Sequence, residues 1–228
     1  MDYIFASNRP WAINTFLEER VNLSGNWLIV TNTDDLVCAL STMKPRYIFF
    51  PHWSELVPRD ITEMYDCVCF HMTDVPYGRG GSPLQNLIKR GLTVTKLTAL
   101  KMDEQLDSGP VYRKDELSLD GSAEQIFVRM AKLAIKQIQH IIENNPEPVP
   151  QGNEKHVNFK RRRPSDSEMG EEQSIKEIFD HIRMLDAPGY PRAFLNKNGF
   201  NFEFHNVSII DQGVSLAANV KITKAKID

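Results

Sequence analysis

The sequence has few cysteines, no long hydrophobic run and no strong excess of either charge. Cys38, Cys67 and Cys69 are too few and too unevenly placed for a disulfide framework, and such thiols are typical of a reducing compartment. No apolar run approaches the roughly 20 residues that cross a bilayer, and the N-terminus lacks the basic and apolar regions of a secretory signal. We therefore expect a cytoplasmic protein with no membrane partner.

The overall charge also limits the partners. A net charge of −3 over 228 residues argues against a broad nucleic-acid surface, which usually requires a basic face. A local basic patch remains compatible with this charge. We therefore predict no nucleic-acid partner. With 41% hydrophobic residues, the chain can bury a sizeable core.

Short apolar runs alternate with helical patterns in the first half of the chain. The runs are 3–6, 26–32, 46–50 and 67–70, and helical spacing covers 10–20 and 33–43, the latter opening at a Thr33 or Asp34 cap. Unalternating apolar runs are typical of strands covered on both faces. Strand–helix–strand order implies right-handed crossovers and parallel pairing. We predict an α/β fold, with a Rossmann-like, mostly parallel sheet and helices on both faces.

The remaining pattern predicts further elements and a second domain. Helices are expected at 83–90, 122–144 and 174–186, and strands at 92–102, 109–119, 200–210 and 213–222. Ser122 and Gln125 form a possible capping box for the long helix, whose buried stripe is Ile126, Met130, Ala134, Ile138 and Ile141. The composition changes after about residue 150. We therefore assign 1–150 to a catalytic domain and 151–228 to a small α+β substrate-binding subdomain, whose alternating tail could form a homodimer edge.

An unusual loop follows the fourth apolar run. The segment "HMTDVPYGRGGSPLQN" (71–86) begins with His71, at the strand end where α/β proteins bind ligands. Imidazole can move a proton near neutral pH, glycines expose backbone N–H groups, and Arg79 could contact a phosphate or carboxylate. Asp107, in a later "DSG", could orient the histidine. A purely structural histidine beside a tight turn remains the alternative.

The order "FHMTDVPYGRGGSPLQNLI … VTKLTALKMDEQLDSGPV" resembles the formyltransferases that use 10-formyltetrahydrofolate. The resemblance is close over residues 69–110, and the strand order agrees over about the first 145 residues. His71 falls on the family histidine, and Asp107 falls on the family aspartate. The resemblance implies that His71 moves the proton from the attacking amine to the departing folate nitrogen while Asp107 orients it. It implies a folate co-substrate and no metal.

One position departs from the family pattern. The family asparagine two residues before the histidine is Cys69 here, and a thiol is a weak hydrogen-bond donor. Losing one such donor typically slows the reaction by about two to three orders of magnitude. Either His52, Asn8 or Asn86 replaces it, or the chemistry depends more on His71. Cys69 could also be plain strand packing, and the departure leaves open a catalytically inactive binding homologue.

The resemblance also assigns binding residues. By position, the folate pocket is lined by Trp53, Ser54, Leu56, Val57, Pro58, Met102, Asp103 and Leu106. Segments "FKRRRP" and "RMLDAPGYPRAFL" resemble the sugar N-formyltransferases, which favours a nucleotide-linked amino sugar as substrate and a role in surface polysaccharide biosynthesis. Its binding residues are then Asn8, Arg9, Trp11, Arg79, Gly80, Lys160, Arg161, Arg162 and Tyr190.

The alternative substrates are those of the other folate-dependent transformylases, glycinamide ribonucleotide and methionyl-tRNA. The transfer-RNA enzymes carry an additional basic C-terminal domain, for which we expect this chain to have no room. The mildly acidic charge of the chain favours the same exclusion. The run from Lys160 to Arg163 remains open to a second interpretation as a solvated charge run that the acidic residues after it neutralise.

Overall fold

The computed structural model describes residues 1–152 and 157–225. The strands of its central sheet are β1 (Asp2–Ala6), β2 (Asn26–Val30), β3 (Tyr47–Pro51), β4 (Cys67–His71), β6 (Val94–Lys101) and β7 (Val111–Ser118). Their order is β2-β1-β3-β4-β6-β7. The pairs β1–β2, β1–β3 and β3–β4 are parallel, whereas β4 and β6 are antiparallel. The predicted α/β fold with a mostly parallel sheet is confirmed.

Strand β3 shows why the apolar runs form the interior of this sheet. Each of its five residues is buried, as expected for a central parallel strand covered on both faces. Ile48 and Phe50 pack in a cluster with Ile4, Leu36 and Ile61. The carboxyl ends of β1, β3 and β4 lie at one edge because these strands run in the same direction.

The helices follow the predicted pattern with two corrections. They are α1 (Pro10–Glu19), α2 (Thr33–Leu40), α3 (Arg59–Met64), α4 (Pro83–Lys89), α5 (Ala123–Asn144) and α6 (Ile175–Arg183). The cap of α2 is Asn32, whose side-chain oxygen accepts from the Asp35 amide at 2.7 Å, so the predicted Thr33 or Asp34 cap is wrong by one or two residues. Helix α3 escaped prediction because six residues are too few to show a helical period. Within the described residues, no helix combines the length and apolarity that a bilayer crossing demands.

Helix α5 confirms both predictions made for it. Ser122 Oγ accepts from the Gln125 amide at 3.3 Å, and the Gln125 side chain accepts from the Ser122 amide at 3.0 Å. This reciprocal pair is a capping box that satisfies two N–H groups of the first turn. The predicted apolar stripe is buried along the helix and comprises Ile126, Met130, Ala134, Ile138 and Ile141.

The C-terminal sheet is larger than predicted. It has three strands in the order β11-β10-β9: β9 (Ala193–Lys197), β10 (Phe200–Ile210) and β11 (Ser215–Lys224). Both pairings are antiparallel, and Phe202 faces Leu195 on one side and Ile222 on the other. Strand β9 was not predicted, because "AFLNK" is too short to show alternation. A short parallel pair, β5 (Arg79–Gly80) with β8 (Asn158–Phe159), was also missed.

Packing divides the chain into two units. The first comprises 1–83, 94–117 and 127–159, and the second comprises 84–93, 118–126 and 160–228, of which residues up to 225 are described. The predicted domain boundary at residue 150 stays a prediction. The second unit contains the three-stranded sheet and α6, where Arg183 donates to the carbonyl oxygens of Leu119 and Gly121 at 2.6 and 2.9 Å. Segment 118–126 therefore packs with the second unit.

Candidate active site

The candidate site is built around His71, the last residue of β4. The imidazole is only 8% exposed. Its Nε2 lies 2.8 Å from the carbonyl oxygen of Gly78, and its Nδ1 lies 3.4 Å from Oδ2 of Asp107. Both partners are hydrogen-bond acceptors. A neutral ring can donate to only one of them, whereas a protonated ring can donate to both.

Asp107 reaches His71 from the loop between β6 and β7. Its backbone is left-handed, with φ of 56°, which is uncommon for a residue other than glycine. Its Oδ2 also accepts from the Gly80 amide at 2.9 Å. Gly80 must be glycine, because a Cβ there would lie 2.4 Å from the Phe159 carbonyl oxygen and its φ is 105°. The structure thus brings together the two residues predicted to act as a pair.

Cys69 lies two residues before His71 on β4, between Phe50 and Leu100 of the neighbouring strands. Burial of the sulfur, with a smaller effect from the Asp107 carboxylate, raises the pKa of the Cys69 thiol. Burial likewise raises the pKa of Cys67 to about 12. Both thiols are therefore protonated at neutral pH, and neither is suited to act as a thiolate nucleophile.

The three cysteines should differ sharply in their reaction with iodoacetamide at pH 8. Cys38 is exposed and should be modified. Cys67 is buried, and Cys69 is partly exposed with a raised thiol pKa, so both should stay unmodified in the folded protein. A pKa near 12 instead of 9.0 reduces the thiolate fraction of Cys67 about a thousandfold. Peptide mapping by mass spectrometry measures the modification, and the urea-unfolded protein, with all sites reactive, is the control. Rapid modification of native Cys69 would contradict the assignment.

The start of α1, the loop after β3 and helix α5 together form an aromatic cluster at the same sheet edge. The Trp11 ring stacks on Phe127 at 5.2 Å, and the His52 ring packs edge-on against Trp11 at 4.9 Å. Burial, and secondarily the Arg9 charge, lowers the pKa of His52 to about 3. His52 is therefore neutral. Among the three predicted replacements for the family asparagine, it is the one whose side chain packs against aromatic rings.

The other two predicted replacements have their own partners. Asn8 Nδ2 donates to Ser54 Oγ at 3.3 Å, which joins the loop after β1 to the loop after β3. Asn86 belongs to the second packing unit, where its Nδ2 donates to the Lys160 carbonyl oxygen at 3.2 Å. Asn8 is thus the amide that lies beside the predicted folate residues.

The two segments predicted to bind folate share one part of the core. Val57 is buried in the cluster around β3, and Trp53, Met102 and Cys69 pack against that cluster. An ion pair between Arg59 and Glu104 joins the two segments at the surface. The other predicted residues of these segments are Ser54, Leu56, Pro58, Asp103 and Leu106. Both leucines are open to solvent, with Leu56 88% and Leu106 73% exposed.

Three polar atoms at this edge are buried without a hydrogen-bond partner among the described residues. They are the indole Nε1 of Trp11, the indole Nε1 of Trp53 and the Oδ1 of Asn8. Buried polar atoms of a folded protein are normally paired. The two indole donors and the amide acceptor are therefore suited to form hydrogen bonds with a ligand that has polar edges. Across residues 1–152 and 157–225, no cluster of histidine, cysteine and acidic side chains has the makings of a metal site.

The remaining predicted substrate residues fall into two groups. In the first unit, Arg79 donates from Nε and Nη2 to Gln151 Oε1 at 3.2 and 2.7 Å. In the second unit, Lys160 and Arg161 are exposed, whereas Arg162 and Tyr190 are half-buried. Gln151 was not predicted as a site residue, yet it also donates to the carbonyl oxygens of Asp107 and Gly109. It lies in a proline-rich segment with no periodic pattern, so no signal marked it.

Comparisons with known proteins show which family the chain resembles. The family model of the methionyl-tRNA formyltransferase C-terminal domain matches residues 164–223. A methionyl-tRNA formyltransferase from Sorangium cellulosum is 27% identical over 172 residues, which cover 71% of this chain and 55% of that protein. The solved structure of methionyl-tRNA formyltransferase from Clostridium thermocellum is 40% identical, with a TM-score of 0.93. That match covers 99% of this chain and 100% of the other.

The coverage of the curated relatives is partial, and a further structural match has low sequence identity. The matches span between 34% and 61% of the length of four curated relatives. The structure of HypX from Aquifex aeolicus in complex with tetrahydrofolic acid has a TM-score of 0.74 at 18% identity, covering 90% of this chain and 37% of the other. At that identity the likeness concerns the fold alone.

The comparisons confirm the predicted formyltransferase resemblance and correct its finer details. A nucleotide-sugar N-formyltransferase with a role in surface polysaccharide biosynthesis is the wrong prediction, because the match across the whole chain is to a methionyl-tRNA formyltransferase. The predicted sugar partner and the exclusion of nucleic acid are wrong for the same reason. The expectation of no room for a C-terminal domain also fails, since residues 164–223 match that domain.

Proposed function

The chain belongs to the methionyl-tRNA formyltransferase family, and on that premise we propose that it transfers a formyl group from 10-formyltetrahydrofolate to the amino group of methionyl-tRNA. The observation that carries the proposal is the 40% identity that extends over 99% of the chain. That range spans both the His71–Asp107 pair and the C-terminal sheet. The relative's name supplies the substrate, and the site geometry supplies residues suited to the chemistry.

The chain offers a suitable surface for the folate. A folate combines flat rings with polar edges, and the site has indole N–H groups on Trp11 and Trp53 that lack a described partner. The open side chains of Leu56 and Leu106 supply apolar surface beside them. Burying such side chains against a ligand contributes about 25 cal/mol per Å² of apolar surface. When bound, the folate supplies the formyl group and leaves as an amine.

His71 is suited to move the proton in this reaction. The attacking amine must lose a proton as its bond to the formyl carbon forms, and the leaving nitrogen must gain one. His71 can accept the first proton and return the second. The Asp107 carboxylate, 3.4 Å from Nδ1, offsets the positive charge of the ring while it holds the proton. The Cys69 thiol remains protonated and donates at most weakly.

The basic segment Lys160–Arg163 is the proposed contact for tRNA phosphates. Lys160, Arg161 and Arg163 are exposed, and none of them forms an ion pair within 1–152 and 157–225. Arg162 contacts the Asp166 carbonyl oxygen, and the Asp166 carboxylate accepts from the Arg163 amide at 2.7 Å. The segment is thus anchored through Arg162 and leaves three cations open to solvent, as phosphate contacts require.

Removing two of these cations should weaken tRNA binding more than catalysis. We expect Lys160→Ala with Arg161→Ala to raise the Kd for methionyl-tRNA about tenfold. The slope of log Kd against log salt should fall by about 1 for each cation that no longer meets a phosphate. Filter binding between 50 and 300 mM salt would measure both. The matched control is Lys132→Ala with Lys136→Ala, which changes the net charge equally on exposed positions of α5. Equal weakening by the two pairs would contradict a local contact.

The activity itself is tested with purified protein, 10-formyltetrahydrofolate and aminoacylated tRNA. We expect formyl-methionyl-tRNA as the product, identified by mass after release of the amino acid. Methionine-charged elongator tRNA and uncharged initiator tRNA serve as comparison substrates. No formyl transfer to any methionyl-tRNA would overturn the proposed function.

A further inference from the structure

Gln151 makes four hydrogen bonds with two segments of the candidate site. Its Nε2 donates to the carbonyl oxygens of Asp107 and Gly109, at 2.9 and 2.8 Å. Its Oε1 accepts from Nε and Nη2 of Arg79, at 3.2 and 2.7 Å. Both ends of the amide are therefore in use. A side-chain amide has two donor hydrogens and an acceptor oxygen with two lone pairs, so this set matches its full capacity.

Together with one further hydrogen bond, these contacts form a closed circuit that begins and ends at Asp107, the partner of His71. The Asp107 carboxylate accepts from the Gly80 amide at 2.9 Å. Gly80 follows Arg79, Arg79 donates to Gln151, and Gln151 donates back to the Asp107 carbonyl oxygen. The side chain and the main chain of Asp107 are thus held from two directions. The restraint matters because Asp107 has a left-handed backbone, with φ of 56°, which costs energy outside glycine.

We propose that Gln151 is a positioning residue that holds Asp107, and through it His71, in the geometry needed for formyl transfer. The role rests on the proposed function for its catalytic consequence. Its structural part, the restraint of Asp107, does not depend on the substrate. Arg79 contributes to the same restraint, because its guanidinium donates to the oxygen of the Gln151 amide.

The chemistry of the amide suggests the most selective variant. Gln151→Glu keeps the length of the side chain and an acceptor for Arg79. It removes both donors and places carboxylate oxygens against the carbonyl oxygens of Asp107 and Gly109. The variant should therefore strengthen the Arg79 contact while it releases the Asp107 loop. A misplacement of about 1 Å at a catalytic group can cost about a hundredfold in rate.

The first measurement is steady-state formylation of methionyl-tRNA by the full chain. For Gln151→Glu we expect kcat to fall about a hundredfold, with the KM values for tRNA and folate changed less than about threefold. The matched control is Gln139→Glu, at a surface glutamine of α5 that bonds Glu143, and its kcat should stay at the wild-type level. An unchanged kcat for Gln151→Glu, or a loss confined to KM, would overturn the positioning role.

The second measurement needs no substrate. The Gly80 amide donates to Oδ2 of Asp107, so its hydrogen exchange, followed by NMR, reports the position of that carboxylate. Gln151→Glu should speed exchange at Gly80 at least tenfold, whereas amides in β1 and β3 should exchange as in the wild type. Unchanged exchange at Gly80 would overturn the proposal. If the wild-type protein formylates no methionyl-tRNA, the proposed function fails. The exchange measurement still shows whether Gln151 restrains Asp107.

A double-mutant cycle separates positioning from a substrate contact. Arg79→Gln removes the guanidinium that fixes Gln151, and we expect about a tenfold lower kcat. Combined with Gln151→Glu, the loss should be no larger than that of Gln151→Glu alone, because both changes release the same loop. If the fold-decreases in kcat of the two single variants multiply in the double variant, Arg79 and Gln151 act independently, and the proposal that they restrain the same loop is overturned. If Gln151→Glu does not fold, Gln151→Met, similar in length but without a strong polar group, carries the same expectations.

Discussion

His71→Asn should lower kcat for formyl transfer about a thousandfold, within the range typical of general acid–base groups. The asparagine amide can still donate a hydrogen bond toward the Gly78 carbonyl oxygen, now 2.8 Å from Nε2, so the loop should keep its shape. It cannot gain and lose a proton near neutral pH. The KM values for both substrates should change little, because His71 is only 8% exposed and offers little surface for substrate binding.

Rapid-quench kinetics under saturating folate would measure this loss in a single turnover. His140→Asn, on the outer part of α5, is the matched control and should retain wild-type activity. Its ring nitrogen contacts only Asn144, at 3.2 Å, among the hydrogen bonds of the described residues. Activity of His71→Asn within about threefold of the wild type would mean that another group moves the proton.

Gly109→Ala should strongly destabilise the folded protein. A Cβ at this position would lie 1.9 Å from the carbonyl oxygen of Lys101, a backbone atom that cannot swing away. The loop that carries Asp107 and the end of β6 must then move apart. Overpacking of this kind costs about 3 kcal/mol or more, which lowers the thermal midpoint of a chain of this size by about 6–12 °C.

Differential scanning calorimetry gives the midpoint, and the control is Gly152→Ala. No described atom lies within 4 Å of a Cβ built at Gly152, and its φ is outside the left-handed region. The control should therefore be neutral or slightly stabilising, by up to about 1 kcal/mol. Equal midpoints for the two variants would contradict the close approach. Formylation by Gly109→Ala should also fall, because the Gly109 carbonyl oxygen accepts from Gln151.

The central sheet was accessible to sequence analysis because its signal is local. Strands such as β3 are buried along their whole length, so continuous apolar runs marked them. The His71–Asp107 pair was not local, since 36 positions separate its members. Periodicity and spacing supplied only two candidate groups, and the resemblance to known formyltransferases paired them. Gln151 had neither a local pattern nor a family motif and was found only through its hydrogen bonds.

The substrate prediction failed for a different physical reason. Net charge averages over the whole surface, so a value of −3 gave no information on whether a local basic segment such as Lys160–Arg163 contacts nucleic acid. The C-terminal sheet was counted as two strands because β9 was too short to recognise. With its third strand, the segment that matches the C-terminal domain is a complete small sheet. The correction came from the comparisons, because composition reveals neither local charge nor the number of strands.

The antiparallel pairing of β4 with β6 places predicted folate contacts on the same loop as Asp107. Lys101, at the end of β6, pairs with Val68 at the start of β4, so the chain must return about 10 Å along β4 to bring Asp107 to His71. The returning segment also carries Asp103 and Leu106, the proposed folate contacts. A change in this loop that alters the affinity for the co-substrate should therefore also move the carboxylate proposed to orient His71.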